Sequence, residues 1–93
     1  MAIRCVAIRM SANGYRHEHI TYIQWLQDGQ SLRQSSSRAE MVAFVEDGGK
    51  AYVRDQFGNL VYLRVRVSTP GNKYVQTYAD GIWSDNLLAL PRF

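Results

Sequence analysis

The chain has 93 residues, is 46% apolar and 20% charged, and carries a net charge of +3. That length supports one core and is too short for two, so one compact domain over 1–93 is expected. The longest apolar run, MVAFV, falls far short of a membrane span, and the lone Cys5 excludes an internal disulfide and a cysteine-based zinc site.

Arg4 and Arg9 interrupt the apolar N-terminus, which argues against a signal peptide and, with the single thiol, for a cytoplasmic protein. Residues 3–10 alternate loosely, with Val6, Ile8 and Met10 on one side, and predict a first strand. SANG (11–14) is a turn. A second strand is expected from about His19 to Gln27, rich in Ile, Thr, Tyr and Trp. Asp28-Gly29 is a two-residue hairpin signal, from which a short strand, Gln30 to Gln34, would return.

Ser37 and Glu40 have the spacing of a capping box, the hydroxyl taking a free first-turn N–H and the carboxylate reaching back. Met41, Phe44 and Val45 then share a helical face with Val42 beside them, and Gly48 or Gly49 ends the helix. Residues 50–55 and 59–68 predict a hairpin across Gln56-Phe57-Gly58-Asn59. In its second strand Val61, Leu63, Val65 and Val67 face one way, while Leu60, Tyr62, Arg64, Arg66 and Ser68 face the other. Such alternation marks a half-buried antiparallel strand. TPGN (69–72) turns the chain into a last strand, KYVQTYA. The fold class is therefore α+β: a mainly antiparallel sheet of five to six strands, in the order β-β-(β)-α-β-β-β, with one amphipathic helix packed on one face.

The closing stretch, TYADGIWSDNLLALPRF (77–93), sets a polar turn against an apolar tail. Asp80-Gly81 turns the chain, Asp85 or Asn86 caps a short helical turn, and Leu87, Leu88 and Leu90 dock before Pro91 stops it. HEHIT (17–21) together with NKYVQTYADGIWSDNLLALP (72–91) resembles the family of small bacterial proteins termed domain of unknown function 3892. Tyr74, Thr77, Asp80, Gly81, Asn86, Leu87, Leu88 and Leu90 fall on its pattern, and Val75 stands where Leu is usual. The resemblance implies a whole α+β domain and brings no activity with it.

Two groups of residues could carry function. His17 and His19 would lie on one side of an extended chain and could share a metal, or act as an acid–base pair with Asp80 or Asp85, beside a partly exposed Trp83. Two histidines without a cysteine or a third histidine fall short of the three or four ligands that zinc takes, so no metal or other cofactor is expected. There is no nucleophile elbow, phosphate loop or dinucleotide fingerprint. The second group is a surface. Tyr62, Arg64 and Arg66 share the wet side of one strand, and Tyr52 and Arg54 one side of its neighbour. Tyr74 and Tyr78 share a side of the last strand, buried or open. Tyrosine beside arginine suits a binding face for an acidic protein or a nucleic acid. The expectation is a binding module with no membrane partner. An enzyme at the His/Asp group and a small phage or mobile-element inhibitor are the alternatives. Nothing in the sequence fixes an oligomeric state.

Overall fold

The computed structural model describes residues 2–93. Seven strands and one α-helix follow in the order β1 (Ala2–Met10), β2 (Ile20–Gln27), β3 (Gln34–Ser37), α1 (Arg38–Glu46), β4 (Lys50–Arg54), β5 (Leu60–Val67), β6 (Lys73–Ala79) and β7 (Ile82–Ser84). They form one sheet, ordered β3-β2-β1-β4-β5-β6-β7. All neighbours are antiparallel except β1 and β4. The exception follows from the helix. β3 runs parallel to β1, and α1 carries the chain back across one face of the sheet, so β4 re-enters in the same direction. The α+β class and the single helix match the expectation. The strand count does not: β7 is the seventh. Asp80 (φ 54°) and Gly81 (φ 80°) both occupy the left-handed region, the geometry of a two-residue hairpin, so residues after the turn return along β6 instead of leaving the sheet.

Three other expectations are corrected. In β1 the register slips between Cys5 and Ala7, leaving Val6 as a bulge. Ile3 and Cys5 therefore point into the core before it and Ile8 after it, rather than Val6, Ile8 and Met10 along one line. β2 begins at Ile20, because His17–His19 form a 3-10 turn instead of extended chain. The return strand after Asp28-Gly29 is Gln34–Ser37, not Gln30–Gln34, so the connection is a loop and not a tight hairpin.

The helix starts as its sequence predicts. Glu40 N–H donates to Ser37 Oγ (3.2 Å) and Ser37 N–H donates to Glu40 Oε1 (2.8 Å). The exposed Glu40 carboxyl is held below its usual pKa by the Ser37 N–H. Met41 and Val42 enter the core, with Phe44 and Val45 partly buried against it. Gly49 leaves room for the Phe44 ring, which a Cβ there would meet at 2.5 Å and displace. The core lies between α1 and one face of the sheet and includes Ile23, Ala51, Val53, Leu63 and Val75.

β4 pairs with β1 only through Ala2–Arg4. Farther along, the same edge of β1 takes the C-terminal tail: Ile8 N–H donates to Pro91 O (2.9 Å) and Phe93 N–H donates to Ile8 O (3.0 Å). A helical turn precedes the tail, with Ala89 N–H donating to Asp85 O. Leu87 is fully buried in the core and Leu88 and Leu90 pack against it. No helix among the described residues is long and apolar enough to cross a membrane.

Candidate functional site

The face turned away from α1 carries an aromatic row. Tyr52, Tyr62, Tyr78 and Trp83 are successive cross-strand partners on β4, β5, β6 and β7. Directly paired residues point to the same side of a sheet, so the four side chains line up. Tyr52 and Tyr62 meet edge to face with centroids 5.9 Å apart, and Tyr78 and Trp83 do so at 4.7 Å. Two guanidinium groups lie on this row, Arg64 over Tyr78 (4.5 Å) and Arg66 over Trp83 (4.4 Å). Arg66 is further held by a hydrogen bond from Nη1 to Gln76 Oε1 (3.1 Å), and Gln76 Nε2 donates to Ser84 O. Arg4 is the direct partner of Tyr52 and extends the row toward β1.

Of the expected surface residues, Tyr62, Arg64 and Arg66 sit on this face together. Tyr52 joins them in register but is only 6% exposed. Its hydroxyl donates to Asp28 Oδ1 (2.6 Å), and that bond, with burial, pushes the phenol above its usual pKa. Arg54, two residues from Tyr52 and opposite Leu60, lies exposed on the same side of the sheet, and its Nη1 donates to Gly58 O in the hairpin turn. Tyr78 and Trp83 are gained. Trp83, expected beside the histidines, belongs to this row.

The charges divide with the secondary structure. Among the described residues no strand contains an acidic residue: all eight lie in turns, the 3-10 segment and the helix. Lys50, Lys73, Arg4, Arg9, Arg54, Arg64 and Arg66 all lie on strands. The arginines of the aromatic row thus have no carboxylate on their own or neighbouring strands, and the acidic group that shares a cleft with Arg66, Asp85, comes from the segment after β7.

A second locus lies where the 3-10 turn meets the start of β6. A cleft of about 420 Å³ is lined by His17, Arg66, Tyr74 and Asp85, with Tyr15, Arg16 and Glu18 beside them. His17 is 8% exposed, and its Nε2 is buried with no hydrogen-bond partner among the described residues. Burial lowers its pKa and Arg66 adds to this, while Asp85 and Glu18 act in the opposite direction.

The expected quartet of His17, His19, Asp80 and Asp85 separates. His19 Nδ1 accepts the N–H groups of Tyr15 (3.1 Å) and Arg16 (3.2 Å), so it closes its own turn. Asp80 follows the last residue of β6, whereas Tyr74, at the cleft, is near its start. Six positions of extended chain separate them, roughly 20 Å. Only His17 and Asp85 share the cleft. Among the described residues no three His, Cys, Asp or Glu side chains form a group able to hold a metal. Burial pushes the Cys5 thiol up to about 12, which removes it as a nucleophile.

A family model described as "Protein of unknown function (DUF3892)" matches residues 3–91. No curated protein and no solved structure matches the chain.

Proposed function

The chain belongs to the DUF3892 family of proteins of unknown function, and we propose that it is a binding module whose open sheet face engages an acidic surface of a protein partner. The observation that carries this reading is the pair of guanidinium groups fixed over Tyr78 and Trp83 on a sheet without acidic residues. Tyrosine, tryptophan and arginine are the residues that dominate protein interfaces energetically, because they bring large contact area and, in arginine, a directed charge. Pinning them in advance reduces the side-chain entropy lost on binding.

Protein is favoured over nucleic acid by the same geometry. Single-stranded recognition uses open ring faces on which bases stack. Here Arg64 and Arg66 already lie over Tyr78 and Trp83. A net charge of +3 is also small for a phosphate-binding domain. The acid–base alternative would rest on His17 and Asp85 alone.

The test is co-purification from the native cell with wild type and an Arg64→Ala/Arg66→Ala double variant, alongside titration with single-stranded DNA and RNA. The expected result is an identified protein with an acidic surface that the wild type retains, that added salt releases, and that the double variant loses. Retention of the same protein by the double variant would remove the face as the site. Tight, steeply salt-dependent oligonucleotide binding with no protein retained would transfer the face to nucleic acid.

A further inference from the structure

Buried polar atoms in native proteins almost always have a partner, and an orphan calls for one supplied from outside the chain. His17 Nε2 is such an orphan, and its ring forms part of the wall of the cleft of about 420 Å³. The groups around it come from four segments. Arg16 and Glu18 flank it on its own turn and pair with each other at 3.6 Å, so their charges cancel. Arg66 reaches in from β5 and Asp85 from the segment after β7, and neither forms an ion pair among the described residues. Tyr15 and Tyr74 complete the wall. With His17 neutral the cleft is balanced. With His17 protonated it carries one net positive charge, and the imidazolium has Asp85 on one side.

Arg66 belongs to both loci: it lies over Trp83 in the aromatic row and lines this cleft. A partner held on the row is therefore already at the cleft mouth. We infer that the cleft receives one acidic side chain of that partner, its carboxylate set between Arg66 and the imidazole of His17, which takes one proton from solvent as the complex forms. The inference rests on the binding-face reading above and specifies where the partner's charge is read. The carboxylate supplies the acceptor that the buried nitrogen lacks. It also offsets the burial that disfavours the charged form of His17 in the free protein.

The consequence is binding that takes up a proton. Affinity for an acidic partner rises as pH falls, by about tenfold for each pKa unit that the bound carboxylate adds to His17. Hexaglutamate is the probe, with hexaglutamine and acetate as controls, each titrated at about pH 8 and about pH 5 while the histidine ring signals are followed by NMR. Hexaglutamate is expected to move the His17 signals and raise its titration midpoint. His19, whose Nδ1 is engaged within its turn, stays in place and reports that the turn is intact. His17→Gln is expected to remove the pH dependence while leaving a weaker, pH-independent affinity that Arg64→Ala reduces. Should that variant not fold, Asp85→Asn is expected to lower the His17 midpoint both without and with hexaglutamate, the upward shift on binding remaining, and no upward shift in that variant would overturn the cleft assignment.

Hexaglutamate binding that is lost on Arg64→Ala but moves neither His17 nor the pH dependence would overturn the cleft assignment and leave the face intact. Acetate matching hexaglutamate at equal carboxylate concentration would make the cleft a free-acid site and overturn the partner assignment. Absence of hexaglutamate binding at both pH values would overturn the face reading itself.

Discussion

Val61 and Tyr62 are neighbours in β5, yet Val61 is 5% exposed within the core and Tyr62 is 41% exposed on the opposite face. The two sides of that strand are held by different forces. On the helix side, Leu63, Val53, Ile23 and Leu87 exclude water and fill volume, and any loss leaves a hole. On the other side, rings and guanidinium groups order one another by edge-to-face and cation–π contact while staying wet. A change of residue on the first side acts on folding. A change on the second is expected to act on the chemistry of the open face and little on folding.

That division can be broken or sharpened by substitution. Leu87→Ala is expected to cost the most, about 2–5 kcal/mol, since the side chain is wholly inside the core and its removal leaves a cavity. Urea unfolding measures it, and a loss below the range would mean the tail is peripheral to the core. Ser37→Ala comes next at about 0.5–2 kcal/mol, because it removes the acceptor for the Glu40 N–H at the helix start. Arg64→Ala is expected to cost less than about 1 kcal/mol in stability, the scale of an exposed cation–π contact. A stability loss for Arg64→Ala equal to that of Leu87→Ala would collapse the distinction, making the aromatic row a structural device.

Local signals were readable from sequence where a single backbone event sets them. The Ser37–Glu40 box needs only four consecutive residues, and the hairpin over 56–59 is set by its own Asp55, which accepts from the Phe57 and Asn59 N–H groups. The β5 alternation held on Val61 through Arg66 because one side faces the core throughout, and failed at Val67, which is exposed at the strand end. The Val6 bulge was hidden, since small and apolar residues on both sides of β1 give no phase to read. Tyr78 was ambiguous for a related reason. Its neighbour Thr77 is polar but points inward, satisfied by a bond from its hydroxyl to Ser84 O (3.0 Å), so apolar alternation could not say which side of β6 was wet.

The candidate cleft was half readable. Asp80 and Asp85 are five positions apart and look equivalent, but the Asp80-Gly81 hairpin folds β7 back along β6 and delivers only Asp85 to the histidine end. His17 and His19 look equivalent too. The 3-10 turn assigns one ring to backbone bonding and leaves the other without a partner. Both outcomes depend on chain reversal, which residue spacing alone does not encode.

The bond between β1 and the tail has a kinetic side. Arg9 Nε donates to Phe93 O across 84 positions, next to the Ile8 pairing. A contact so distant in sequence adds non-local pairing, so this junction is expected to form after the local hairpins of β4 to β7. During synthesis, the far half of β1 keeps an unpaired edge until residues 91–93 have left the ribosome.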